Sequence, residues 1–447
     1  MLEKVLDYPA LMLCITLIYL SGMYVALHFI KDRYELSPEI SRKMVHIGLG
    51  LTTLSFPWLF YETWPIWLMC AVSVIALVGL RHKKFKNNLG QALHGVERHS
   101  YGEICFPLSV AVLFQLSHEE PVFYMVPILV LTLADAFAAI VGVRYGKSHY
   151  DAAEGIKSIE GSLFFFITAF LCIQIPLLLM TDFSDSHIIL VSLFIALLIT
   201  ICEAVAWQGL DNLFIPLGAY LILTKYLKFE ISMLLMLTVI LIGIMIAGLY
   251  FRKRSTMNLS ALLACIILGF LYITFEPLIF VIPLSMLLFY SFISRKEHAQ
   301  LKDAHTVLTI FYLNLGGLFW AFLKNSGYES LNLEFCIYYC IQMGIISWIH
   351  QYLYHKRTNF VYPIINANIL LTVISMLYTG KLNVFTNEKY YYYALFTTIS
   401  LTISLFIFTK WAKKYDIIPT NRERLIMQSG AAFFGSVLFL MLRSIHV

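Results

Sequence analysis

Charge is scarce in this sequence. Of its 447 residues only 13% are Asp, Glu, Lys or Arg, while 60% are hydrophobic. A soluble globular domain carries about a quarter charged residues. This composition cannot build the polar surface that a soluble chain of such length needs, so that class is excluded. The mean hydropathy of +0.77 agrees. A metal-binding cysteine set is also missing. The eight cysteines lie in or beside apolar segments, and no histidine or acid completes a set with Cys336 and Cys340. They read as small buried hydrophobes. The first apolar run lacks the small-residue cleavage pattern of a signal peptide and reads as a retained helix. There is no clear internal repeat.

Long apolar runs are what the chain has in abundance. Ala10 to Ile30, Ile231 to Phe251 and Tyr391 to Thr409 are each long enough to cross a bilayer. Their backbone groups must be satisfied within the segment, so they read as helices. The expected fold is an all-α, polytopic bundle of roughly sixteen transmembrane helices. Glu103 to Leu116 and Leu213 to Lys225 are the short members.

Basic and acidic connectors alternate along the chain. The basic ones are Lys31 to Lys43, Arg81 to Arg98, Arg144 to Lys157, Phe251 to Arg254, Arg295 to Lys302, Lys356 to Arg357 and Lys410 to Arg424. Between them lie connectors such as His118-Glu119-Glu120 and Thr379 to Glu388. The positive-inside rule then puts the basic loops in the cytoplasm and both termini outside. Tyr390 to Tyr393 and Trp64 to Trp67 read as interfacial anchors. Polar motifs crowd the chain before about residue 230 and thin out after it. The expected division is a catalytic part, 1–228, and a C-terminal transmembrane bundle of unassigned task, 229–447.

Four polar clusters fall on the expected cytoplasmic side. The first, Glu39 to His46, puts Arg42 and Lys43 at a helix mouth, where paired cations suit lipid head groups or a phosphate. A plain positive-inside anchor explains those two as well, but His46 lies about one turn inside the membrane, where a polar side chain needs a partner. The second cluster, Glu97 to Glu103, leads into the short helix containing Pro107. A solvated basic loop is its bland reading.

The third cluster is the strongest. Asp135 lies about 10 Å, at about 1.5 Å per residue, before an expected helix end at Gly142. An acid at that depth is costly and is a functional hypothesis by default. Ala138, Ala139 and Gly142 share its face. Gly142, Arg144 and Gly146 then frame a turn whose N–H groups suit phosphate. Lys157 and Ser158 precede Glu160-Gly161-Ser162 at the next helix start, where the dipole favours an anion. Asp135 and Glu160 are oxygen donors of the kind Mg²⁺ prefers. The fourth cluster is Glu203 followed by Asp211-Asn212, which serves either as further oxygen donors or as a helix cap. Metal, cations, hydroxyls and a base are what phosphoryl transfer requires.

At these residues the sequence resembles a known family. Arg42-Lys43-x-x-His46, Asp135-Ala136-x-Ala138 with Gly142 and Gly146, Lys157-Ser158-x-Glu160-Gly161-Ser162, and Glu203 with Asp211-Asn212 look like the CTP-dependent lipid kinases. These include phytol, farnesol and dolichol kinases and fungal-type diacylglycerol kinases, with phosphatidate cytidylyltransferases as distant relatives. The resemblance runs over residues 35–225. It implies CTP as phosphoryl donor, Mg²⁺, and an isoprenoid or glyceride alcohol as acceptor. The implied catalytic set is Asp135, Lys157, Glu160 and His46. The nucleotide would meet Gly142, Arg144, Gly146, Lys157, Ser158, Gly161 and Ser162. Arg42, Lys43, Glu203 and Asn212 would meet substrate or phosphate, and Asp135, Glu160 and Asp211 the metal.

The competing readings are a cytidylyltransferase, whose acidic Asp-x-x-Asp ending is absent here, and a transporter or flippase. Transporters favour repeats and midplane broken helices. Lipid substrate, nucleotide and membrane lipids are the expected partners, with no nucleic acid. The general base, the acceptor alcohol and the oligomeric state stay open, as does the choice between a bacterial plasma membrane and the endoplasmic reticulum.

Overall fold

The structure is a computed structural model. It describes residues 8–35, 38–80, 102–117, 120–152, 155–206, 209–252, 255–276, 278–295, 304–328, 331–377, 387–412 and 421–446. The stretch from Glu97 to Tyr101, most of the second cluster, lies outside these residues, as do 81–96. The chain forms two compact units, 1–244 and 245–447.

The all-α expectation holds. Among the described residues, 8 helices are long and apolar enough to cross a membrane, and five shorter apolar helices accompany them. Large apolar side chains such as Ile18, Ile75, Leu179 and Phe292 point outward. A surface of that kind suits a lipid solvent and not water. The protein is a multi-pass membrane protein.

The first unit opens with α1 (Pro9–Tyr34), α2 (Pro38–Thr53), the single-turn α3 (Phe56–Leu59) and α4 (Trp64–Leu80). Next come α5 (Gly102–Leu116) and α6 (Pro121–Leu129). Pro127 sits inside α6 and removes one backbone donor. Three residues later the helix widens into a π-helical segment, Val130–Ala134, before resuming as α7 (Asp135–Tyr145). The wider turn re-aims the side chains around it, and such insertions are frequent at functional sites. Asp135 is the first residue after it.

Helix α7 was expected to stop at Gly142 but runs on to Tyr145, so Asp135 lies about 15 Å from its end, at about 1.5 Å per residue. Gly142 stays helical because its neighbour is close packed and no left-handed turn is needed there. The loop expected next contains a hairpin instead. Strands β1 (His149–Ala152) and β2 (Gly155–Ser158) pair antiparallel, with Tyr150 opposite Lys157. Gly155, at φ 101, supplies a backbone conformation that side-chain-bearing residues rarely adopt. Helices α8 (Ile159–Met180), α9 (Asp185–Val205) and α10 (Asp211–Tyr226) complete the unit's site-bearing part. Helix α11 (Ile231–Phe251) contains the division between units.

The second unit consists of α12 (Leu259–Phe275), α13 (Val281–Ile293), α14 (Val307–Asn325), α15 (Asn332–His350), α16 (Val361–Leu377), α17 (Asn387–Ala412) and α18 (Arg422–His446). Helix α15 is buried on nearly all sides and forms its axis. A Cβ on Gly316 or Gly317 would come within 2.3 Å of the Tyr338 ring or 2.4 Å of the Tyr339 hydroxyl, so these glycines seat both rings.

Candidate active site in the first unit

Two charged stations are built in this unit. The deeper one centres on Asp135. Helix α2 presents Lys43 and His46 on one face, three residues apart. The Lys43 amine donates to Asp135 Oδ2 at 2.6 Å and to the Asp135 main-chain oxygen at 3.4 Å. His46 Nε2 lies 3.6 Å from Asp135 Oδ2 and 3.0 Å from the Leu131 carbonyl oxygen. A carbonyl oxygen only accepts, so Nε2 carries the hydrogen. The imidazole edge also packs on Phe106, with ring centroids 5.1 Å apart. Lys43 and Asp135 are both buried. The π-helical segment reaches α2 because Gly50 has no side chain. A Cβ there would fall 2.0 Å from Thr132 Oγ1.

The second station is on the hairpin. Lys157 donates to Glu203 Oε1 at 2.6 Å and also to the Glu203 main-chain oxygen. Tyr150, across the hairpin, shares a 2.8 Å hydrogen bond with Ser162. Burial alone would lower the Lys157 pKa, but Glu203, with help from Tyr150 and Asp211, raises it above its ordinary value. The amine therefore stays a cation at physiological pH. Glu203 Oε2 is buried and accepts no hydrogen bond from the described residues.

A seam of small residues joins the end of α7 to the start of α8. The Ser158 side chain caps α8 by accepting from the Gly161 N–H at 3.1 Å. A Cβ on Gly142, Gly146 or Gly161 would come within 3.0, 2.9 or 3.0 Å of Ser158 Oγ. These three glycines therefore act as a close-packing surface around one hydroxyl. The backbone donors expected to face phosphate are partly spent. Gly146 N–H bonds to Gly142 O at 3.2 Å, and Ile159 N–H to Ser148 O at 2.8 Å. Arg144 is exposed beside this seam, with its guanidinium 5.5 Å from the Tyr145 ring centroid.

The three acids expected to share Mg²⁺ are not gathered. Glu160 accepts from the Ser148 N–H at 3.1 and 3.2 Å, and Asp211 from the Asn212 N–H at 2.9 Å. Gly161, next to Glu160, packs on Ala138 O and Gly142 of α7, but Lys43 engages Asp135 while Glu160 turns to Ser148. Among the described residues no group of three or more His, Cys, Asp or Glu is placed to hold a metal ion. Asn212 instead donates to Gly102 O at 3.1 Å and ties α10 to α5. Arg42 is half-buried on α2, next to Lys43.

The structure thus brings Lys43, His46 and Asp135 together, and separately Lys157 with Glu203. Sequence reasoning singled out all five residues but not these pairings. It missed Tyr150, whose signal was its place across Gly155 from Lys157. It also missed the packing role of Gly50 against Thr132.

Comparison with known proteins gives one clear relative. The chain is 32% identical over 194 residues to phytol kinase from Synechocystis sp. (strain ATCC 27184 / PCC 6803 / Kazusa), spanning 43% of this chain and 81% of that protein. No protein-family model matches the chain. No solved structure matches it either. A kinase relative matched over most of its own length fits a chain whose buried cations and carboxylates are paired near helix ends. Through that shared segment, the chain belongs to the family of membrane lipid kinases that includes phytol kinase.

Proposed function

We propose that the protein transfers the γ-phosphoryl group of CTP to a membrane isoprenoid alcohol of the phytol, farnesol or dolichol type, at the cytoplasmic face. The observation that carries this reading is the 32% identity to phytol kinase. The geometry adds a half-buried lysine, paired with Glu203, on a hairpin that leads straight into a membrane-spanning helix. Phosphates arriving from water meet Arg144 and Lys157 first, at the exposed end of α7 and on the hairpin. Cations there offset the charge that develops on the transferred phosphoryl oxygens. The alcohol reaches the same level from the bilayer, its chain lying among the apolar helix surfaces.

The residues Asp135, Glu160 and Asp211 do not fit one protein-built Mg²⁺ cage. Mg²⁺ commonly binds through one or two carboxylates and the substrate's own phosphates. Mg²⁺ carried on the nucleotide's own phosphates would offset their charge without a protein-built cage. Lys43 and His46 fix Asp135 and so hold α2 against α7, which keeps the floor of the site in register.

The test uses CTP labelled in parallel at the α- and γ-phosphates, with full-length protein in lipid bilayers and a phytol, farnesol and dolichol panel. The proposal expects γ label on the lipid and unlabelled lipid from the α-labelled nucleotide. Label from the α position together with released pyrophosphate would make the protein a cytidylyltransferase. Labelled lipid from neither would point to transport.

A further inference from the structure

The kinase reading leaves the general base unassigned, and a carboxylate oxygen beside Lys157 has no hydrogen-bond donor among the described residues. Glu203 has two carboxylate oxygens with different surroundings. Oε1 receives the Lys157 amine at 2.6 Å. Among the described residues, no hydrogen-bond donor reaches Oε2, which is buried. The side chain as a whole is only 12% exposed. A buried acceptor left empty is costly, and native proteins rarely leave one.

The place of Glu203 in its helix adds to the cost. It is in the last turn of α9, which ends at Val205, where the helix dipole disfavours negative charge. Lys157 offsets that penalty on one oxygen alone. The arrangement engages one oxygen of the carboxylate with a cation and leaves the second open to a donor. The donor that fits is neutral. An anionic phosphate would be repelled by Oε2, whereas an alcohol O–H presents one hydrogen and no charge. Helix α9 is itself a candidate membrane span, so Glu203 sits at its end, the level at which a lipid alcohol carries its hydroxyl.

Resting on the kinase reading above, we infer that Glu203 Oε2 accepts the hydrogen of the acceptor alcohol and serves as the general base, with Lys157 on Oε1 holding the carboxylate in place. As the alcohol oxygen bonds to the γ-phosphorus, the bond from that phosphorus to the β–γ bridging oxygen breaks. The hydroxyl proton passes to Glu203 Oε2, and the nucleoside diphosphate leaves with the bridging electron pair. Lys157 stays beside the phosphoryl oxygens through the transfer. Asp135 and His46 are not the base in this scheme, because Lys43 and Leu131 already engage them.

The experiment compares wild type, Glu203→Gln and Glu203→Asp as full-length proteins in bilayers with labelled CTP and phytol. Glu203→Gln keeps the volume and an oxygen for Lys157 but takes no proton. Its kcat should fall at least ~100-fold, the usual contribution of a positioned base. The nucleotide KM and the thermal midpoint should stay near wild type. Glu203→Asp retains the acid at a shorter reach and should fall by about tenfold, with its acid limb in the kcat–pH profile preserved. That limb should vanish in Glu203→Gln. An active wild type whose Glu203→Gln variant keeps a third or more of its kcat overturns this inference alone. So does a Glu203→Asp variant as inactive as Glu203→Gln with a collapsed thermal midpoint, since that marks a packing role. A wild type that labels no alcohol overturns the kinase reading and the inference with it.

Discussion

The two compact units bury polar groups in different ways. In residues 1–244 the central contacts are between full charges, Lys43 with Asp135 and Lys157 with Glu203. In residues 245–447 the centre is a chain of neutral side chains. Gln428 donates to Gln342 at 3.0 Å, Gln342 to the Tyr338 hydroxyl at 2.9 Å, and Tyr338 meets Ser429 at 3.1 Å. Beside it, Tyr339 donates to Asn314 at 2.7 Å and pairs with Tyr272 at 2.8 Å. The second unit has ion pairs too, Arg443 with Glu334 at 2.9 Å and Lys324 with Glu276, but its interior is tied by amides and hydroxyls. Mutually satisfied neutral networks fix packing. Charges held inside a membrane protein with a valence to spare are suited to chemistry. Buried oxygens without a hydrogen-bond donor among the described residues occur in both units, Glu203 Oε2 in the first and Glu334 Oε2 in the second; what singles out Glu203 is its place beside the hairpin cation Lys157.

The largest expected effect is at the deep station. Asp135→Asn leaves the Lys43 ammonium buried without its counter-ion, which should cost about 3–5 kcal/mol in stability. Phosphoryl transfer should fall at least ~100-fold, the scale of losing one charged group from a preorganised site. The double variant Lys43→Met/Asp135→Leu separates the two effects. Replacing a buried pair by apolar groups is often neutral for stability, so thermal unfolding should recover, and transfer with it, as a clamp of α2 on α7 requires. Stability recovered with transfer still lost would give the Asp135 carboxylate a direct part in the chemistry.

The second prediction concerns close packing. Gly50→Ala drives a methyl into Thr132, and overpacking of this kind should cost about 1–3 kcal/mol, read as a lowered thermal midpoint. Thr132→Ala in the same chain should recover part of it. An unchanged midpoint in Gly50→Ala would mean that α2 is not held tightly on the π-helical segment.

Some of this was legible in sequence and some was not. The helices follow from apolar runs that must satisfy their own backbone, so their places agree closely, as at Ile231–Phe251. The hairpin was hidden because strands of four residues at a hydrophilic connector carry no periodic signal. Asp135 and Lys43 each stood out by being charged near the membrane. That they bind one another was not readable, since 92 residues separate them and only the packing of α2 on α7 joins them. The three-acid metal set failed to assemble for a like reason. Each acid is engaged elsewhere, Asp135 by Lys43, Glu160 by the Ser148 N–H and Asp211 by the Asn212 N–H, pairings that the sequence does not display.

A smaller effect is expected in the second unit. Gln342→Leu strips a partner from both Tyr338 and Gln428 and should lower stability by about 1–3 kcal/mol. Turnover per folded molecule should stay within about threefold of wild type, the sense in which this network is structural. Gln342→Leu/Gln428→Leu should be no milder than Gln342→Leu, because Gln428 also accepts from the buried Arg424 at 3.2 Å and its loss takes that acceptor away. A selective loss of turnover in Gln342→Leu would bring the C-terminal bundle into the chemistry. The smallest effect belongs to Arg144→Ala. An exposed cation contributes up to about 1 kcal/mol, so the nucleotide KM should rise a few-fold with kcat unchanged.

The most direct test of the central claim is the mass of the lipid product. Full-length protein in bilayers is incubated with phytol and either CTP or ATP, and the extracted lipid is weighed by mass spectrometry. The account predicts phytol carrying one added phosphoryl group, formed with CTP in clear preference to ATP, with CDP released in equal amount. Phytol left unmodified after incubation with either nucleotide would contradict it.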